Sequence, residues 1–163
     1  MTRLETERLV LRPLARADKA AYAELFEDTA ELDRAVAHWA EHGFGHWAIR
    51  ERGSERLLGT LEVHYAGEGI GGIAPDEVEI GWTIAEDRRG EGIATEAGCA
   101  AIDHAFATLE VTHLVAYIRP ENEVSQRVAT RLGMRHDADG TTRSGDRMLI
   151  FRLSRPTTIG GRP

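Results

Sequence analysis

Apolar residues recur in two rhythms along this chain, and one rhythm replaces the other at a single place. Val78, Ile80, Trp82 and Ile84 alternate with smaller or polar residues, the period-two pattern of a half-buried strand. Further on, Gly98, Ile102, Ala105, Phe106 and Leu109 fall on one helical stripe. Between the two runs Asp87-Arg88-Arg89-Gly90-Glu91-Gly92-Ile93-Ala94, a turn rich in charge and glycine. Residues 79–109 therefore predict strand, turn and helix, and the rest of the chain is arranged around this unit.

The same rules predict the flanking elements. Arg8 to Leu14 alternates and ends at Pro13, a short strand near a sheet edge. Asp18 is placed to cap a helix reaching about Glu27, and a second helix spans about Ala30 to Glu41, stopping before Gly43 and Gly45. On the next strand Trp47 and Ile49 face one way, His46 and Ala48 the other. Gly53-Ser54 turns the chain into Leu57 to Tyr65. Residues 66–76 carry four glycines and a proline and predict a mobile loop. After the central unit, Val111 to Ile118 reads as a buried strand ended by Pro120. A helix follows from about Glu123 to Leu132, closed by Gly133. Met134 to Asp137 and Arg147 to Leu153 predict a last hairpin around a polar loop at Gly140, and residues 156–163 a disordered tail. No internal repeat and no second domain is visible, so residues 1–155 are expected to form one domain. Strands and helices in this order imply an α/β sandwich with a mixed sheet.

The glycine turn carries the first chemical signal. Gly90 and Gly92 at a helix entrance let the backbone approach a ligand closely. The unpaired N–H groups of the first turn then point at the ligand, and the helix dipole favours an anion. The dipole contributes only about 0.3–1 kcal/mol, so several N–H groups and an arginine must share the task. A nucleotide-hydrolysing loop needs lysine and Ser/Thr after its last glycine, but here Ile93-Ala94 follow and the chain's only lysine is Lys19. A dinucleotide fingerprint needs three glycines, where Gly90, Gly92 and Thr95 supply two and a threonine. Arg89, Gly92 and Ala94 do fill the pattern Arg-x-x-Gly-x-Ala.

At these residues the sequence resembles the GNAT superfamily of acetyl-CoA-dependent N-acetyltransferases. The opening LETERLVLRPL resembles its RimJ/RimL-type branch, as does Asn122-Glu-Val-Ser125 followed by Leu132-Gly133-Met134. The likeness covers nearly all of the chain. It implies the GNAT fold, a central mixed and mostly antiparallel sheet flanked by helices, with acetyl-CoA as co-substrate and no metal. It also implies that Arg89, Gly90, Gly92, Ile93, Ala94 and Thr95 hold the coenzyme's pyrophosphate. The strand end Trp82-Thr83-Ile84 supplies a backbone N–H to the thioester oxygen, beside a gap filled by pantetheine. Many GNAT enzymes place a tyrosine seven residues after the asparagine as proton donor to the leaving thiolate. That position here is Ala129, and in the RimJ/RimL branch the serine matching Ser125 is the proposed donor. Asn122 is at the same time a good helix cap.

Amine attack on a thioester sets two further needs. The leaving thiol has a pKa of about 8.5, so a weak donor suffices, whereas the amine must lose a proton before it attacks. Glu79, on the strand before the loop, is the first candidate for the base. It reads equally as a solvent-facing strand carboxylate. Glu62 and His64 are weaker candidates. In the family's ribosomal-protein enzymes the proposed base is a glutamate near the C-terminal hairpin, where this chain has Ser144, Gly145 and Asp146.

Composition narrows the alternatives. At 163 residues and 42% apolar content the chain suits one globular domain. No apolar run approaches the ~18 residues of a membrane span, and the N-terminus lacks a signal peptide's apolar core. Cys99, the single cysteine, allows no internal disulfide and reads as a small packing residue, so a cytoplasmic location is expected. A net charge of −7 argues against a nucleic-acid partner and suits a cationic one. His38-Trp-Ala-Glu41-His42 matches a zinc-peptidase pattern, but that site also needs a third ligand from downstream and a longer, deeply buried helix, and Gly43 ends this one at once. The sequence thus points to an N-acetyltransferase acting on a primary amine (a protein or peptide N-terminus or a small α-amino compound), as monomer or homodimer. A non-catalytic CoA-binding or regulatory module on the same fold is the alternative.

Overall fold

The computed structural model describes residues 2–26 and 28–156. Its strands are β1 (Leu4–Glu5), β2 (Leu9–Pro13), β3 (Trp47–Glu51), β4 (Leu57–Tyr65), β5 (Ile70–Gly71), β6 (Val78–Ile84), β7 (His113–Ile118), β8 (Arg135–Thr142) and β9 (Arg147–Ser154). The helices are α1 (Lys19–Leu25), α2 (Ala30–His42), α3 (Ile93–Thr108) and α4 (Glu123–Arg131). All the strands join one sheet in the order β1-β2-β3-β4-β6-β7-β9-β8-β5. Every neighbouring pair is antiparallel except β6 and β7, whose parallel ladder is registered at a single pair, Glu79↔Val115. The sheet is therefore two antiparallel halves hinged at Glu79 and open beyond it.

Helices cover both faces, as alternation along the strands requires. Trp47, Ile49, Leu61, Val63, Ile80 and Ile84 turn to one face, where Ile93, Ala97, Ala101 and Ala105 of α3 and Ala129 of α4 complete the main core. Ala48 and Leu57 turn to the other and pack with Leu14, Tyr22, Leu32 and Ala35 around α1 and α2. A third cluster joins Ile73, Val115 and Ile150. The alternation expected for β3 holds, but both its faces are buried.

Several expectations change on folding. Asp18 does not cap α1. It is 2% exposed and accepts from the Ala15 N–H (2.9 Å), Arg12 Nη2 (2.9 Å) and Arg50 Nη2 (2.8 Å), because two guanidiniums outcompete a helix terminus for a buried carboxylate. The glycine-rich stretch 66–76 is pinned at the far sheet edge: β5 pairs with β8, and Ile73 plugs the third cluster at 8% exposure. Gly140 is not in a loop. Strand β8 continues to Thr142, and Gly140 is buried opposite Met148 and against Gly71, leaving the turn to residues 143–146. Cys99 is exposed and not a packing residue, because it lies on the helix face turned away from the buried Ala97, Gly98 and Ala101. Of the tail expected to be disordered, residues 157–163 lie outside the described residues.

Candidate active site

The opening of the sheet creates the site. Strand β6 pairs with β4 along its whole length, from Tyr65↔Val78 to Gly59↔Ile84. The Ala85 N–H donates to Leu58 O (2.8 Å) just beyond this ladder. Bonded and non-bonded pairs alternate in an antiparallel ladder, so the backbone groups of Trp82 and Ile84 turn the other way, toward β7. Beyond Glu79 strand β7 has diverged, and the space between holds a cleft of about 280 Å³. Glu79, Gly81 and Trp82 of β6 line it, with Tyr117 from β7, Asn122 at the cap of α4 and Ser125 in its first turn. Thr83 and Ile84 lie outside its wall. The side chain of Ile84 belongs to the main core, and its carbonyl accepts from Arg89 Nε (3.1 Å).

The glycine turn leads into α3. Gly92 caps α3 in the left-handed conformation (φ +78°), which brings the chain sharply onto the helix axis. A side chain at Gly92 would meet only Arg8 Nη2 at 3.7 Å, so the space in front of the first turn is open. Ile93 and Ala94 are buried and anchor the helix from below, which leaves its first N–H groups facing outward. Two arginines hold the loop's shape: Arg88 bonds Glu91 (2.9 Å) and Glu51 (3.3 Å), and Arg8 donates to Glu91 O (3.0 Å) and pairs with Glu96 (2.7 Å). Arg89 is exposed and, among the described residues, enters no ion pair, so its guanidinium is available to a phosphate. The set formed by Arg89, Gly90, Gly92 and the N–H groups of Ile93, Ala94 and Thr95 suits a diphosphate.

At the start of α4 the Asn122 carboxamide oxygen accepts from the Ser125 N–H (3.1 Å), as a cap does. That bond uses no side-chain atom of Ser125, whose hydroxyl has no hydrogen-bond partner among the described residues and lines the cleft. Ala129 is fully buried beneath the helix and does not reach the cleft.

The floor of the cleft is acidic. Glu79 is not solvent-facing: it is 6% exposed, and its Oε2 has no hydrogen-bond partner. Burial, then the like charges of Glu62 and Glu31, push its carboxyl up to about 8. Glu62, which also lines the cleft, is pushed up to about 6 by burial, against a hydrogen bond from the Thr60 hydroxyl (3.3 Å). It lies over Gly81, where any Cβ would sit 2.6 Å from Glu62 Oε2, so the bare backbone there is what lets the second carboxylate fold across the strand. Tyr117 completes the group, its phenol pushed up to about 12 by burial and then by Glu79 and Glu62. This acidic floor suits an ammonium group, and Arg119 also lines the cleft.

Folding therefore gathers Glu79, Trp82, Asn122 and Ser125 in one cleft and puts the Arg89–Thr95 loop above α3, while Thr83 contributes no wall. The sequence reading missed Tyr117, Arg8 and Glu31. Tyr117 alternates correctly on β7, but nothing local states the register of β7 against β6, and Arg8 reaches the loop from 83 residues away in the chain. In the His38–His42 pattern, His38 Nδ1 lies 2.8 Å from Phe44 O, so that nitrogen is engaged by a backbone carbonyl.

Residues 8–135 match a family described as an acetyltransferase (GNAT) domain. The chain is 31% identical over 153 residues to an uncharacterized protein, YkkB, of Bacillus subtilis, covering 83% of this chain and 86% of that one. An acetyltransferase from Agrobacterium tumefaciens superposes with a TM-score of 0.78 at 30% identity over 95% of both chains. Mycobacterium smegmatis RimJ, solved with CoA-disulfide, superposes with a TM-score of 0.72 over 94% of this chain and 86% of its own, and at 21% identity shares the fold.

Proposed function

Because the chain belongs to the GNAT acetyltransferase family, whose members typically transfer acetyl from acetyl-CoA to amines, we propose that it is an N-acetyltransferase of the RimJ/RimL type acting on α-amines by direct attack on the thioester. On this reading residues up to 155 form one catalytic domain. The observation that carries the proposal is the meeting in one cleft of a buried carboxyl, Glu79, and a free hydroxyl, Ser125, beside outward-facing backbone N–H groups of β6. A module that only bound CoA would need the phosphate loop but no unpaired buried acid, which is costly to keep without a role.

Each residue has one task. Arg89, Gly90, Gly92 and the first turn of α3 hold the pyrophosphate of acetyl-CoA. The Trp82 N–H faces the developing negative charge on the thioester oxygen. Glu79 takes a proton from the incoming ammonium, and Ser125, oriented by its Asn122 turn, donates to the leaving sulfur. The raised value of Glu79 sets the choice of acceptor. An α-ammonium has a pKa near 8, so its proton passes to a carboxylate of about 8 at almost no cost. For a lysine ammonium near 10.4 the same transfer is uphill by more than about a hundredfold.

Release of free thiol from acetyl-CoA across a panel of amines tests the activity. Peptides with a free α-amine and blocked side chains should outperform peptides whose only amine is lysine. A clear preference for lysine would refute the acceptor assignment, and no thiol release with any amine would refute the catalytic reading. Ser125→Ala should lower kcat by about tenfold or more with little change in CoA affinity, the usual worth of a positioned proton donor. If kcat with a good acceptor is unchanged, Ser125 is only a residue of the helix start.

A further inference from the structure

Proton balance leaves one question open at this site. In R–NH3+ + acetyl–SCoA → R–NH–acetyl + HSCoA + H+, the ammonium gives up two protons as the N–C bond forms. The C–S bond breaks with its electron pair going to sulfur, which takes one of the two through Ser125. The other arrives at Glu79 and must leave before the next turnover. Glu79 has little direct access to water, being 6% exposed.

Directly across the strand pair from Glu79 stands His64. Its Nε2 lies 3.7 Å from Glu79 Oε2, the same oxygen that has no hydrogen-bond partner. Its Nδ1 lies 2.8 Å from Tyr65 O, which can only accept. Nδ1 must therefore carry the hydrogen, and Nε2 presents its lone pair to the carboxyl. The side chain is 24% exposed and is no part of the cleft wall, so Glu79 stands between the substrate on one side and His64 on the other.

We propose that His64 relays the proton from Glu79 to solvent, accepting at Nε2 and releasing to water, and so resets the base. The proposal rests on Glu79 being that base. A displacement of about 1 Å brings Nε2 within hydrogen-bond range of a protonated Glu79. The histidines facing His64 do not oppose the transfer. Just before β3, the His46 ring lies 5.0 Å away between centres, tilted by 43°, and is pushed down to about 3, by burial first and then by His64 and His38. From α2, His38 lies 6.1 Å away, is likewise lowered by burial, and has Nδ1 on Phe44 O with Nε2 facing the Tyr65 N–H (3.4 Å). Both neighbours stay neutral in the working range, so neither competes for the proton and neither repels it as a standing charge.

The test uses the full chain, acetyl-CoA and an α-amine peptide. His64→Ala should lower kcat about tenfold or more while the stabilisation by CoA is kept, and imidazole added to the assay should restore most of the loss, because a free base can reach the vacated surface. His64→Asn keeps a donor at the Nδ1 position toward Tyr65 O but cannot carry a proton. It should show the same loss and, if His64→Ala fails to fold, it takes that variant's place. An unchanged kcat in both variants, or a loss that imidazole does not touch in a protein still stabilised by CoA, overturns the relay. Glu79→Gln separates the two claims. If it is as active as the wild type, base and relay both fall. If it is inactive while the His64 variants keep full activity, only the relay falls.

Discussion

Glu79→Gln is expected to lower kcat/KM for an α-amine peptide about a hundredfold near pH 7, the usual worth of a positioned general base. The gap should narrow to about tenfold or less by pH 9, where most of the amine arrives neutral and needs no base. In the wild type a carboxyl pushed up to about 8 is ionised in roughly a tenth of molecules at pH 7, so activity should climb steeply with pH and level off only above 8. Parallel pH profiles for the two proteins would remove Glu79 from the mechanism. The same substitution has a second signature in stability. The folded value of Glu79 lies above the ordinary 4.5, so the folded chain holds a proton that the unfolded chain releases. Its contribution is fully present below about 4.5 and is lost as pH rises to about 8. A tenfold change in a protonation equilibrium is worth about 1.4 kcal/mol, and Glu79→Gln should therefore gain in melting temperature relative to wild type as pH is raised through that window. A constant difference between the two melting curves from pH 5 to pH 8 would count against a buried, raised Glu79, whatever its part in catalysis.

The second large effect is expected at the glycine loop. Gly92→Val should abolish stabilisation by CoA, which in the wild type at a ligand concentration about a hundred times Kd is worth about 2.7 kcal/mol, or several degrees in Tm. Two causes act together. A left-handed φ of +78° costs a residue with a Cβ about 1–2 kcal/mol, and a branched side chain fills the open space before the first turn of α3, where the pyrophosphate must approach. Gly92→Ala separates them: it carries the backbone strain but adds a single methyl facing Arg8 Nη2 at 3.7 Å, so apo stability should fall similarly while part of the CoA shift survives. Thermal unfolding with and without CoA reads both quantities. A wild-type shift in Gly92→Val would mean that this loop does not hold the coenzyme.

The strand, turn and helix of residues 78–108 and the cap at Asn122 were legible in the chain because each is decided locally. Alternation of Val78, Ile80, Trp82 and Ile84 needs only one buried face. Gly92 needs only a left-handed turn, and an Asn122 carboxamide reaches the N–H three residues on whatever the sheet does. Glu79 was undecided for the opposite reason. Whether it meets water or protein depends on what packs over β6, and its neighbour Glu62 folds across it only because Gly81 lies beneath. His64 was visible in the sequence as a weaker candidate for the base itself, but the 3.7 Å approach to Glu79 follows from the β4–β6 register, and the hydrogen on Nδ1 from a carbonyl at Tyr65. Asp18 and Gly140 were misread locally because partners from β3 and β5 claimed them. Backbone periodicity and caps are written in neighbouring residues. Desolvation, register across strands and the pairing of distant charges arise only when the sheet closes, and these are what turn a row of polar side chains into an acid floor with a route for its proton.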